Sequence, residues 1–191
     1  MKKQPIPDPV FTLTSGPVDA YPAVLRGLSR TIAYDFDPAF QAFYQRVVEK
    51  AQAAMRLSSP PVILHGEPVL GLEAAAASLI GAGDTVLNLV SGVYGKGFGY
   101  WAKRYCKDLV EIAVPYNEAI DPAAVAKALK ARPDIAVVAV VHHDTPSGTI
   151  NPVAAIGKLA AKHGAFMIVD AVSSFGGMDI DPETSHSDIF V

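Results

Sequence analysis

The amino-acid sequence predicts an α/β fold, a mainly parallel sheet with helices on both faces. Three observations predict it. Thr85 to Val90, Ile135 to Val141 and Ala165 to Val169 are nearly unbroken apolar runs of strand length, as expected of strands covered on both faces. They alternate with segments of helical periodicity, and strands alternating with helices argue for parallel pairing through crossovers. Four predicted strand ends run into polar or glycine-rich turns: His65-Gly66-Glu67, Ser91-Gly92-Val93-Tyr94, Asp144-Thr145-Pro146-Ser147-Gly148 and Asp170-Ala171-Val172-Ser173-Ser174. In a parallel sheet all four emerge at one edge, the edge where open α/β sheets bind ligands.

In chain order, residues 1–20 read as an irregular, proline-rich arm with a turn signal at Thr12 to Pro17. Tyr21-Pro22 opens a short helix to about Ile32. Asp37-Pro38 is a strong helix start, with Asp as N-cap and Pro at the first helical position. Phe40, Phe43, Tyr44, Val47, Val48 and Ala51 then form one apolar face of a helix to about Met55. Such an aromatic stripe is core or interface packing far more often than a ligand box. Pro61 to Leu64 is a short strand, and Val69 to Ile80 an alanine-rich helix ended by Gly81 and Gly83. After the strand at Thr85, Tyr94 to about Tyr105 is a glycine-interrupted helix. Leu109 to Val114 is a strand, and Asp121-Pro122 starts a helix that Pro133 follows. Asn151-Pro152 starts the helix carrying Val153, Ile156 and Leu159, which ends at His163-Gly164. Asp188 to Val191 is the start of one more strand.

Composition bounds the function. The 191 residues are 50% hydrophobic and 18% charged with net charge −3, enough for one sizeable core and without the basic face that nucleic acid or an anionic membrane requires. Cys106 is the single cysteine, which excludes an intrachain disulfide and suits a reducing, cytoplasmic compartment. Two lysines near Met1 precede no apolar stretch, so a signal peptide is not expected, and no apolar run reaches the length of a membrane span.

Asp170 is the residue at which chemistry is expected first. A carboxylate at the carboxyl end of a buried parallel strand can hold a protonated heterocyclic nitrogen, and it can equally cap the turn that follows. Gly95, Gly97 and Gly99 suggest a dinucleotide loop, but the spacing G-x-G-x-G differs from G-x-G-x-x-G. No phosphate loop of nucleoside triphosphate enzymes is present. His142, His143 and Asp144 suggest a metal, yet neighbours in a strand point to opposite faces, so the two histidines do not readily share an ion, and no metal site is expected. Ser147 and Ser173 lack a recognisable histidine base, which leaves a serine hydrolase weak. Lys96 and Lys103 read as solvated helix residues.

With the four turns in place, the stretches PVILHGEPVLGLEAAAASLI, SGVYGKGFGYWAKRY, HHDTPSGTINP and IVDAVSSFGGM resemble class V aminotransferases of the pyridoxal-phosphate fold-type I group. The resemblance runs from about Phe11 to Val191 and comes nearest to members that act on pyridoxamine and pyruvate. It implies that residues 21–191 are a truncated cofactor-binding large domain. It also implies roles: Asp170 pairs with the pyridine nitrogen, Tyr94 stacks on the ring, Thr145 bonds the ring 3-oxygen, and Val172 packs the opposite ring face. Glu67 separates subfamilies. In most relatives this position opens a helix whose N-terminal amides hold the cofactor phosphate. A carboxylate there repels phosphate but accepts a hydrogen bond from a free 5′-hydroxyl, which favours pyridoxal or pyridoxamine as bound substrate over pyridoxal phosphate. The other reading of Glu67 is a helix-start carboxylate stabilised by the macrodipole.

The implied reaction turns pyridoxamine and pyruvate into pyridoxal and L-alanine, in a homo-oligomer with sites at the subunit interface. The alternatives are a pyridoxal-phosphate-dependent class V enzyme of the alanine–glyoxylate or serine–pyruvate type, or a non-catalytic fragment that binds vitamin B6. The family's Schiff-base lysine follows the strand beginning at Asp188, and no lysine follows Lys162 here. No catalytic residue is therefore expected within these 191 residues, which are expected to be inactive alone and to expose apolar surface.

Overall fold

A computed structural model describes residues 14–191. Residues 1–13, most of the predicted arm and the first part of its turn at Thr12, lie outside the described residues. The chain divides into two compact units after Tyr44.

In the first unit, helix α1 spans Pro22–Leu28 and stops short of the predicted Ile32. Gly27 weakens its last turn, and the Ser29 hydroxyl donates to the Arg26 carbonyl, competing with helical bonding. None of its residues is buried, and Tyr21, Leu28 and Ile32 stand in solvent. Helix α2 spans Pro38–Ala54, and the unit boundary falls inside it. Asp37 caps it as predicted, accepting from the Ala39 amide at 2.7 Å. Of the predicted apolar stripe, Val48 is buried, while Phe43, Tyr44 and Val47 remain exposed.

The second unit opens with a difference. Residues 61–64 form no strand. Pro60 and Pro61 have no N–H to give a neighbour, and Val62, Ile63 and Leu64 are exposed, so neither hydrogen bonding nor burial fixes a strand there. The elements that follow are α3 (Pro68–Leu79), β1 (Thr85–Val90), α4 (Val93–Tyr105), β2 (Asp108–Ala113), α5 (Pro122–Ala131), β3 (Ile135–Val141), β4 (His143–Asp144), β5 (Thr149–Ile150), α6 (Val153–His163), β6 (Phe166–Asp170) and β7 (Ile189–Phe190). The short β4–β5 hairpin was not predicted. Its turn closes on Gly148, whose φ of +68° suits glycine and whose amide donates to the Asp144 carbonyl at 2.9 Å.

Strands β2-β1-β3-β6-β7 form one sheet with every pairing parallel. The predicted α/β class, with helices on both faces, is the observed one. Leu87, Leu89, Val138, Val140, Met167 and Val169 face α5 and α6, packing on Val125, Leu129, Ile156 and Ala160. Val86, Val137, Ala139 and Ile168 face α3 and α4, packing on Leu72, Ala76, Phe98 and Ala102. The strict alternation along each strand explains the unbroken apolar runs: both faces are core.

Candidate active site

Strand order decides where a ligand can sit. From β1 the chain passes through α4 to β2 on one side. It then returns through α5 to β3 on the other side of β1. The β1/β3 boundary is the topological switch point, and the crevice beyond the carboxyl ends there is the binding position of open α/β sheets. Ser91-Gly92 leaves β1 at this point and His142-His143-Asp144 leaves β3.

Asp170 ends β6, beside Val141 of β3 in the register, and its carbonyl accepts from the His142 amide at 2.8 Å. Its side chain is 8% exposed. Oδ1 accepts from the Val172 amide at 3.0 Å, the turn-capping bond the sequence allowed, and among the described residues no cation faces the carboxylate. Burial pushes its pKa up to about 6, against the Val172 amide, with the nearby Asp144 charge adding to the rise. The capping role and an open carboxylate coexist, because one oxygen serves each.

Tyr94 stands at the second position of α4 with its ring half exposed. Thr145 follows directly on Asp144 and is half-buried. Val172 is exposed beside Asp170. Adjacent strands thus bring Tyr94, Thr145, Asp170 and Val172 to one edge. Glu67 precedes α3 as its N-cap residue, with an exposed side chain that makes no capping bond. The first turn of α3 reaches the same edge: Gly71 lies against Val191, whose carbonyl accepts from the Ala171 amide at 2.7 Å.

Two of the glycines whose spacing does not fit a dinucleotide loop have another reason. A Cβ at Gly95 would lie 2.9 Å from the Leu89 carbonyl oxygen, and one at Gly99 2.8 Å from Asn88 and Glu111 side-chain atoms. They let α4 lie close on the sheet. Lys96, expected to be solvated, pairs with Glu111 at 2.6 Å. Asn88, the lone polar residue inside its apolar run, is buried and donates to the Gly95 carbonyl at 3.0 Å and to Glu111 at 3.2 Å.

Sequence reasoning missed two further constellations. Asn151 was read as a helix start, but α6 begins at Val153 with Pro152 at the cap. The buried Asn151 amide instead donates to Ser91 Oγ at 2.7 Å and to the Val141 carbonyl at 2.8 Å, and its oxygen accepts from the Ile120 amide at 2.9 Å. It ties the ends of β1 and β3 together across the switch point. His143 Nδ1 lies 2.8 Å from Ser173 Oγ, so Ser173 does have a histidine neighbour, 30 residues away in sequence. Among the described residues no carboxylate accepts from the other nitrogen of that ring. His142 is buried with Nδ1 unpartnered, and burial, then the charge of His143, hold its pKa below the ordinary value. Among the described residues no group of three or more His, Cys, Asp or Glu side chains converges as a metal site would require.

Comparison with known proteins addresses the family and the fold. The family model described as aminotransferase class V matches residues 71–191. A curated pyridoxamine–pyruvate transaminase of Mesorhizobium japonicum is 73% identical over 184 residues, covering 96% of this chain and 47% of that protein. The crystal structure of pyridoxamine-pyruvate aminotransferase from Mesorhizobium loti superposes with a TM-score of 0.94 at 72% identity, covering 97% of this chain and 47% of that one. An alanine–glyoxylate aminotransferase structure from Nostoc sp. gives 0.91 at 27% identity, covering 100% and 50%. The chain spans about half the length of the curated relatives it matches. The family match over residues 71–191, most of the sequence, places this chain in the class V aminotransferase family.

Proposed function

We propose that this chain supplies the ring-binding part of a transaminase that moves an amino group from pyridoxamine to pyruvate, giving pyridoxal and L-alanine. The observation that carries the reading is Asp170, buried, raised in pKa and without a cation partner among the described residues, at the switch-point edge. Such a carboxylate fits a protonated pyridine nitrogen, since desolvated acids need a cationic partner. Class V aminotransferases depend on pyridoxal phosphate, and the residues present fit its ring. Bound there, the ring supplies an electron sink for the carbon that loses its proton.

The chain's own residues do the rest. Asp170 holds the proton at the ring nitrogen. The half-exposed Tyr94 offers a flat apolar face and Val172 an apolar backstop. Thr145 donates its hydroxyl toward the ring oxygen. Glu67, with no capping bond of its own, accepts from an uncharged 5′-hydroxyl and disfavours a phosphate. This selects free vitamin over pyridoxal phosphate, and the alanine–glyoxylate type is the second reading because of the Nostoc likeness. The working enzyme is a cytoplasmic homo-oligomer containing the family's lysine. Among the described residues no helix is long and apolar enough to cross a membrane.

Titration with pyridoxal and with pyridoxal phosphate, followed by ring absorbance and fluorescence, tests the reading. Pyridoxal binds, the phosphate binds at least about tenfold more weakly, and Glu67→Ser reverses the order. Tighter phosphate binding with Glu67 in place moves the assignment to the alanine–glyoxylate type. The 191-residue polypeptide by itself is expected to show no pyruvate-dependent consumption of pyridoxamine, and turnover by it would overturn that expectation.

A further inference from the structure

Helix α4 starts without a cap of its own. Its N-cap residue is Gly92, which has no side chain to accept from the first turn. A normal N-cap oxygen accepts from the second or third helical N–H. Here those amides belong to Tyr94 and Gly95, and both point at Asp144 Oδ2, at 3.2 and 3.5 Å. Asp144 comes from the end of β4, about fifty residues further along and across the switch point. It is 0% exposed, and a Cβ at Gly92 would overlap its carboxylate. The missing side chain at Gly92 and the buried carboxylate at Asp144 are two halves of one fit.

We infer that Asp144 is a positioning residue, an N-cap supplied in trans that fixes the first turn of α4 and with it Tyr94. The same residue immediately precedes Thr145, so one clamp holds two of the proposed ring contacts in mutual register. The inference rests on the proposed ring-binding role only for its effect on ligand. The clamp itself is a property of the chain.

A carboxylate oxygen facing the positive end of α4 is also the arrangement a helix start favours. Asp144 Oδ1 is buried without a partner, and the nearby Asp144 carboxylate adds, after burial, to the rise in the pKa of Asp170. A carboxylate pair on one side of the ring position favours a protonated ring nitrogen over a neutral one.

Amide hydrogen exchange on the 191-residue chain, without ligand, reads the clamp directly. Asp144→Ala lowers protection of the Tyr94 and Gly95 amides about tenfold relative to the rest of α4, and Asp144→Asn, which keeps an acceptor oxygen, restores most of it. Gly92→Ala drives a methyl into the carboxylate and produces the same loss, and it carries the test if Asp144→Ala does not fold. Pyridoxal titration then gives a double-mutant cycle. Asp144→Ala weakens binding about tenfold, and Tyr94→Ala in that background costs clearly less than in the parent. Unchanged protection of these two amides overturns the clamp, as do additive penalties in the cycle. If protection is lost as expected but the parent chain binds no pyridoxal, the ring-binding reading fails and the clamp stands.

Discussion

The two edges of the sheet treat charge in opposite ways. At the amino edge, Arg132 bonds Asp134 through Nε at 2.9 Å and a terminal nitrogen at 2.8 Å, and reaches Asp108 at 2.8 Å. Thr85 Oγ1 adds a bond to Asp134 at 2.7 Å. Arg132, then Thr85, hold the Asp134 carboxyl well below the usual range. These charges are solvated and mutually paired. At the carboxyl edge, among the described residues, Asp170 is buried without a cation, Asp144 Oδ1 is buried without a donor, and His142 Nδ1 is buried unpartnered. The lesson is that the amino edge pairs its charges within the chain, with His163 Nε2 its one buried unpartnered atom among the described residues, while the carboxyl edge gathers two such atoms and an unpaired carboxylate around the switch point. Buried polar groups are normally satisfied, so unsatisfied ones concentrated at a switch point mark a site.

The sharpest way to break this contrast is to remove the open charge. Asp170→Asn keeps the shape and the Val172 contact but loses the anion, and pyridoxal affinity drops by about 100-fold, measured by fluorescence titration. Retained affinity would mean that Asp170 only caps its turn.

The same residue makes stability fall with rising pH. The unfolded carboxyl titrates at about 3.8 and the folded one at about 6, so between these values the folded state holds the extra proton. The stability gained from that proton is full below about pH 4 and lost as pH rises through about 6, amounting to roughly 2–3 kcal/mol. Denaturant unfolding from pH 4 to 8 shows this difference between the parent chain and Asp170→Asn. An identical pH profile in the two sinks it.

Gly95→Ala tests the close seat of α4. Its methyl meets backbone atoms of Leu89 and Val90, which cannot swing aside, so it costs about 1–3 kcal/mol in unfolding free energy and weakens pyridoxal binding through Tyr94. The smallest effect belongs to the closed edge. Arg132→Ala slightly lowers the unfolding midpoint and leaves pyridoxal affinity unchanged; an altered affinity would mean that the two edges are coupled.

The contrast also marks how far the sequence was legible. The apolar runs at Thr85, Ile135 and Ala165 identified their strands because burial on both faces demands unbroken apolar residues. Asp37 and Asp121 announced their helices because an N-cap bond spans only two residues. Asp170 stood out because its strand ended on a charge. Residues 61–64 misled, since an apolar run makes a strand only where a neighbour supplies its hydrogen bonds. Asn151 misled as well: its partners Ser91 and Ile120 lie 60 and 31 residues away, and nothing local announces them.

By itself the sequence determined the class of fold, the order of its helices and main strands, and the residue types gathered at one edge. These follow from periodicity and capping, which act over a few residues. The tertiary structure decided which strands are neighbours, and therefore that Gly92 meets Asp144, that His143 meets Ser173 and that Asp170 lacks a cation among the described residues. Those facts depend on the switch in strand order at β1 and β3. The physical reason is that contact and desolvation depend on distance in space, and the chain carries no local record of which distant residue will fill them.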